Sequence, residues 1–124
     1  MRDIKFRGKR VDGGGWEWGF VNKELGGVYI LHPLGVSVEV VPETVGQYAG
    51  LKDINGKEVY GGDIVRFTYN STPQEKHTGI VKWENRDLAW NFDGFLLEPT
   101  IKETIEIIGN MFENANIKVN NNGK

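Results

Sequence analysis

The sequence of 124 residues contains no cysteine at all. A disulfide framework, a thiolate zinc site and a cysteine nucleophile are therefore excluded. The absence of cysteine fits a reducing compartment, and we expect a cytoplasmic protein.

Long apolar runs are absent as well. The first ten residues, MRDIKFRGKR, are charged throughout and lack the apolar core of a secretory signal. The longest near-apolar stretch, residues 28–41, is interrupted by His32, Pro33 and Gly35, whereas a spanning helix needs roughly 20 apolar residues. We therefore expect no export by that route, no membrane segment and no membrane partner.

Residues that commonly carry catalysis are few and scattered. The two histidines, His32 and His77, lie far apart in the sequence and do not form the close pair of a metal motif. Neither Ser37 nor Ser71 lies in a nucleophile-elbow sequence, and no glycine-rich phosphate loop precedes a helix pattern. The sequence predicts no catalytic residue, no metal site and no cofactor.

The net charge of −2 gives no general attraction to nucleic acid. The charge is unevenly distributed, however. Residues 1–10 carry five cations against Asp3, a local charge of +4 that leaves −6 for the remainder. This segment is the one basic stretch of the chain.

Alternating side chains around this basic stretch predict a hairpin of two strands. Ile4 and Phe6 alternate with cations, and after the glycine-rich segment 12–15 three aromatic residues recur at every second position, namely Trp16, Trp18 and Phe20. If the cations of the first strand share a face with exposed tryptophans of the second, they form a basic and aromatic strip for nucleic acid. That candidate site consists of Lys5, Arg7, Lys9, Trp16 and Trp18. The alternatives are that the tryptophans fill a core and that the cations keep a strand edge soluble.

The rest of the chain shows further strand patterns. They predict strands at residues 28–31, 36–41, 64–69, 79–83, 88–92 and 95–97, a short strand within 43–50, and a closing strand that ends at Gly109. Asn55-Gly56 predicts a tight hairpin turn, residues 70–77 a polar loop, and residues 113–117 one turn of helix. The tail 118–124 has no apolar content and is expected to be disordered.

These patterns predict a mainly β fold with little helix, in which hairpins close into a small SH3-like barrel. We expect a single domain over residues 1–117, with an N-terminal hairpin region at 1–42 and a barrel-like region at 43–117.

Three carboxylates lie close together beside the turns in the middle of the chain: Asp53, Glu58 and Asp63. Carboxylates in such a group can hold Mg²⁺ or act as acid and base. Aspartate is also favoured at turns because its carboxylate accepts backbone N–H bonds, which would account for Asp53 and Asp63 without any activity.

Two sequence blocks resemble the hallmark segments of the YopX family: ETVGQYAGLKDINGKEVYGGDIVRF at 43–67 and EIIGNMFENANI at 106–117. The opening RDIKFRGKRVDGGGWEWGFV is similar to the usual start of that family. The resemblance implies a phage or prophage origin, expression in the cytoplasm of a bacterial host, and a tendency to self-associate. It implies no activity, because the family has no established one.

The sequence thus favours a non-catalytic binding or interaction module that acts as a homo-oligomer, with a host or phage protein as a possible partner. One alternative is a nucleic-acid-binding protein that uses the basic N-terminal strand. The other is a small metal-dependent hydrolase or nuclease that uses the turn carboxylates.

Overall fold

The computed structural model describes residues 4–24, 26–69, 72–84, 89–92, 95–96 and 104–113. Within these residues the secondary structure consists of strands and one 3-10 segment. The elements are β1 (Phe6–Lys9), β2 (Trp16–Glu24), β3 (Gly27–Leu31), β4 (Ser37–Val40), the 3-10 segment Pro42–Thr44, β5 (Gly46–Lys52), β6 (Glu58–Tyr60), β7 (Asp63–Tyr69), β8 (Thr72–Glu84), β9 (Ala89–Phe92), β10 (Phe95–Leu96) and β11 (Glu106–Asn110). No helix in the described part of the chain is long and apolar enough to span a bilayer.

The chain divides into two compact units, residues 1–48 and residues 49–124. The division falls inside β5, a few residues after the predicted division between regions 1–42 and 43–117. In the first unit the strand order is β4-β3-β2-β1-β5, and in the second unit β6 pairs with β5 while the other strands have the order β10-β9-β8-β7-β11.

The predicted mainly β class is confirmed, but the predicted closure into an SH3-like barrel is wrong. The described strands form two antiparallel sheets that are not closed into a barrel. Closure needs a continuous ladder between the first and last strands. In the first unit, β4 contacts the end of β1 only at one isolated bridge, between Arg10 and Val40. In the second unit, β10 and β11 are the two edges of the sheet formed by the described strands.

The β1–β2 hairpin is confirmed. On its buried side, the absence of a side chain at Gly8 leaves room for a neighbouring strand. The Asp12 carboxylate accepts the Gly14 N–H at 2.8 Å and so holds the turn. A Cβ on Gly8 would lie 2.9 Å from the Val40 side chain, so glycine allows β1 and β4 to approach closely. Ile30 and Val40 are fully buried on this side.

Thr44 attaches the 3-10 segment to the end of β1. Its hydroxyl donates to the Val41 carbonyl oxygen at 2.6 Å and accepts the Lys9 N–H at 2.8 Å. The strand predicted within residues 43–50 therefore begins only at Gly46, as β5.

The second unit is built on a core of apolar side chains from β5 to β9 and from the residue before β11. Its buried members are Ala49, Leu51, Val59, Val65, Phe67, Val81, Trp90 and Ile105. The predicted polar loop at 70–77 is wrong from Thr72 onward, because β8 begins there and pairs with β7. Phe67 lies opposite His77, and their rings stack with centroids 5.6 Å apart. The backbone pairing with β7 overrides the polar composition of this segment.

The β5–β6 hairpin is confirmed, although its turn lies one residue earlier than the sequence predicts. The Gly56 N–H donates to the Asp53 carbonyl oxygen at 3.0 Å, so Ile54 and Asn55 are the central residues and Gly56 follows them with a φ of 82°. The closing strand is also confirmed and ends at Asn110. The predicted helical turn beyond Glu113 and the tail 118–124 lie outside the described residues.

Candidate functional site: a basic and aromatic sheet face

The pairing register of β1 and β2 places the predicted basic and aromatic residues on one face of the first unit. Arg7 lies directly opposite Trp18, and Lys9 lies directly opposite Trp16. Directly opposed residues of an antiparallel pair project from the same side, and so do alternate residues along one strand. Lys5 therefore shares this side, and the five residues predicted from the sequence lie together.

Two of the cations pack on aromatic rings. The Arg7 guanidinium carbon lies 4.7 Å from the centre of the Trp16 ring, and the Lys5 Nζ lies 5.1 Å from the centre of the Tyr48 ring. Such cation–π contacts stabilise both partners. Only 9% of Arg7 is exposed. Arg7 therefore packs against Trp16 within the face and contributes little to its exposed surface.

The exposed part of the face is an aromatic strip on β2. Trp18 is 47% exposed and Phe20, two residues further along the strand, is 58% exposed. Leu31 lies opposite Phe20 on β3 and is 40% exposed. We call this surface the aromatic face. It consists of Lys5, Arg7, Lys9, Trp16, Trp18, Phe20, Leu31 and Tyr48.

Three members of the aromatic face were missed by the site prediction. Phe20 continues the same alternation as Trp16 and Trp18, so the pattern that identified the tryptophans contains the signal for it. Tyr48 and Leu31 reach the face through strand pairing. No local sequence pattern reports that pairing.

Arg10 belongs to the predicted basic segment but is engaged elsewhere. Its guanidinium forms ion pairs with Asp12 at 2.8 Å and Glu17 at 3.2 Å. The hydrogen bond from Arg10, followed by the one from the Gly14 N–H, lowers the pKa of Asp12 to about 2. In the described part of the segment, the positive charge of the aromatic face therefore comes from Lys5, Arg7 and Lys9.

The three turn carboxylates each accept hydrogen bonds that hold the second unit together. Asp53 accepts the Asn55 N–H two residues on, as the turn interpretation predicts. Asp63, which is 1% exposed, instead accepts the N–H of Tyr60, three residues before it, at 2.8 Å. Glu58 accepts the Tyr60 hydroxyl at 3.0 Å.

Among the described residues no group of three or more histidine, aspartate or glutamate side chains is placed to hold a metal ion. The hydrolase or nuclease alternative stays a prediction from the sequence.

Asp53 is the most heavily bonded of the three. Besides the Asn55 N–H, its carboxylate accepts the N–H of Lys57 at 2.9 Å and that of Ile107 at 3.0 Å. Burial by itself would raise the pKa of Asp53, but the hydrogen bonds from Ile107, Lys57 and Asn55 outweigh it and lower the pKa. Asp53 is therefore an ionised structural group that joins the β5–β6 turn to β11.

These features define an antiparallel β protein with an aromatic, cation-bearing sheet face in its first unit. The sequence matches the family described as YopX protein over residues 16–117, which is most of the chain. The chain therefore belongs to the YopX protein family, as the sequence resemblance predicts. A comparison with curated proteins finds no match.

Proposed function

We propose that the protein is a non-catalytic binding module whose aromatic face holds single-stranded nucleic acid. The observation that supports this most is the exposure of Trp18 and Phe20 at alternate positions of β2. Beside them lie Arg7 and Lys9 of β1 on the same side, with Lys5 just before that strand. Alternate residues of a strand are about 7 Å apart, so the two rings offer separate stacking surfaces.

The chemistry of this face matches a single strand better than a duplex. Stacking of one base on an aromatic ring contributes about 1–3 kcal/mol and tolerates any base, because every base has a π face. In a duplex those faces are covered by neighbouring bases. The cations add attraction to phosphates, which acts locally because the net charge of the chain is −2.

Replacement of Trp18 by alanine is expected to weaken binding of a labelled thymidine oligonucleotide about tenfold or more, because one stacking surface is lost. Fluorescence anisotropy at low salt measures the effect. The matched control is Trp83→Ala, which removes a 45% exposed tryptophan from the second unit and should leave the affinity unchanged. If the Trp18→Ala and Trp83→Ala proteins bound the oligonucleotide with equal affinity, the aromatic face would not be the binding site.

A second candidate function is a protein interaction, including self-association, through the β3–β4 turn. Leu34 is 84% exposed and Val36 is 59% exposed in this turn, and an aliphatic surface has no role in stacking bases. Exposed apolar groups beside the exposed Leu31 favour a protein contact.

We include in the proposal that the chain acts as a homo-oligomer in the cytoplasm of a bacterial host, with a phage or prophage origin. Membership of the YopX family supports this part.

Light scattering on the purified protein tests the self-association. The wild-type chain is expected to have the mass of an oligomer, and Leu34→Glu is expected to lower that mass because it places a charge in the apolar contact. The exposed Glu43→Gln is the control and should keep the wild-type mass. A monomeric wild-type protein would contradict this candidate while leaving nucleic-acid binding open to its own test.

A further inference from the structure

The second unit contains an open cleft of about 270 Å³. Among the described residues it is lined by Ile54, Arg66, Thr68, Lys76, Thr104 and Glu106, with a contribution from Phe67. None of these residues belongs to the aromatic face, so the cleft is a separate feature of the molecule.

The cleft arises where β11 stops pairing with β7. Arg66, in the middle of β7, lies opposite Glu106 on β11 and Thr78 on β8. Two residues further along β7, the backbone of Thr68 bonds to a side chain instead of to β11. The Thr104 hydroxyl accepts the Thr68 N–H at 3.0 Å and donates to the Thr68 carbonyl oxygen at 3.1 Å. The N–H and carbonyl oxygen of Thr68 are therefore both bonded within the protein.

One wall of the cleft is apolar and fixed in place. Ile54 comes from the β5–β6 turn, and its N–H donates to the Ile105 carbonyl oxygen at 2.9 Å. Its side chain is 55% exposed. A large aliphatic side chain held in this way beside a cation provides contact area for the hydrocarbon part of a ligand.

The charges of the lining favour an anion. Arg66 and Lys76 are positive and Glu106 is negative, which leaves a net charge of +1. Within the part of the chain that the structure describes, the side chain of Arg66 forms neither a hydrogen bond nor an ion pair. Its guanidinium has five N–H donors in a planar fork whose geometry matches a carboxylate.

We propose that this cleft binds a small carboxylate with a short aliphatic chain. The guanidinium of Arg66 binds the carboxylate through two parallel hydrogen bonds, and Ile54 contacts the aliphatic carbons. A singly charged group matches the net charge of the lining. The volume lies slightly below the range of about 300–1,000 Å³ usual for drug-sized ligands, which restricts the occupant to a short molecule or the end of a peptide.

Titration of the full chain with butyrate, followed through amide resonances by NMR at constant ionic strength, tests the proposal. Butyrate is expected to shift the resonances of Arg66, Thr68 and Glu106. Butyramide has the same shape without the charge and should bind about tenfold more weakly or worse, because the charged hydrogen bonds are lost. Equal shifts from both compounds, or no shift from butyrate, would overturn the proposal.

Matched variants assign the effect to Arg66. Arg66→Gln is expected to weaken butyrate binding about tenfold or more, while Arg66→Lys keeps the charge but loses the fork and should give an intermediate affinity. Lys52→Gln makes the same charge change at an exposed position of β5 outside the cleft and should bind like the wild type. If Lys52→Gln weakened binding as much as Arg66→Gln, the proposed site would be wrong.

The source of the carboxylate is distinguished by a pair of short peptides that end in alanine, one with a free carboxyl terminus and one amidated. Preferential binding of the free-terminus peptide over butyrate would support a peptide end as the natural occupant. Binding of butyrate alone would support a small metabolite. The cleft lies in the second unit, so failure here leaves the proposal for the aromatic face untouched.

Discussion

Replacement of Gly19 by alanine is expected to lower the free energy of unfolding by on the order of 4 kcal/mol. Gly19 lies in β2 between Trp18 and Phe20 and is buried on the side opposite to the aromatic face. A Cβ at this position would collide with the Leu31 carbonyl oxygen and lie 3.2 Å from the Ile30 Cγ2. Because the first obstacle is backbone, no side-chain rotation relieves the contact. Strand β3 would have to move away from β2.

Urea unfolding monitored by tryptophan fluorescence measures this loss. Gly26→Ala is the matched control, because Gly26 has a φ of 80° and nothing within 4 Å of an added Cβ. That variant isolates the backbone cost of a positive φ, roughly 1–2 kcal/mol. If Gly19→Ala were no less stable than Gly26→Ala, the close approach of β2 and β3 would be contradicted, and with it the position of Phe20 opposite Leu31.

Asp53→Asn is expected to lower the free energy of unfolding by about 3 kcal/mol. The carboxylate of Asp53 accepts three backbone N–H groups, two on Oδ1 and one on Oδ2. An asparagine side chain has one oxygen, so its NH₂ group must face at least one of these donors. The second unit then loses a charged hydrogen bond and leaves a backbone N–H in a buried site without an acceptor.

The same substitution predicts a particular dependence of stability on pH. The folded state lowers the pKa of Asp53, so its carboxylate stabilises the fold fully above the unfolded value of about 4. That contribution is lost as the pH falls through the lower folded pKa. The difference in unfolding free energy between wild type and Asp53→Asn should be constant above about pH 5 and should shrink below about pH 4.

Denaturant unfolding at a series of pH values measures this difference. Glu24→Gln is the control, because Glu24 is an exposed carboxylate at the end of β2, and its substitution should change stability little across the series. A difference between wild type and Asp53→Asn that grew on acidification would contradict the assigned role of the carboxylate.

The face on which each residue lies was predictable wherever the side chains alternate. The period of two in a strand fixes which residues share a side, so a one-residue shift would invert the whole set. Lys5, Arg7 and Lys9 therefore share a side with Trp16 and Trp18 once their strands pair in the register Arg7 to Trp18. Similarly, the hydrogen bond from the Asn55 N–H to Asp53 follows from local turn chemistry alone.

Features that depend on pairing between distant segments were not predictable. Nothing near Tyr48 in the sequence indicates that its ring lies beside Lys5, because the contact depends on the pairing of β5 with β1. The polar residues from Thr72 to His77 form part of a strand because β7 lies beside them. The single bridge between Arg10 and Val40 likewise depends on how far β4 extends toward β1, which decides between an open sheet and a closed one.

The salt dependence of single-stranded oligonucleotide binding by the wild-type protein tests the central claim most directly. With Lys5 and Lys9 on the aromatic face and Arg7 almost fully buried, the logarithm of the binding constant should fall linearly with the logarithm of salt concentration, with a slope of about −1.4. A duplex of the same length should bind more weakly under the same conditions. Binding that salt does not change, or no binding at low salt, would contradict the assignment of the aromatic face to nucleic acid.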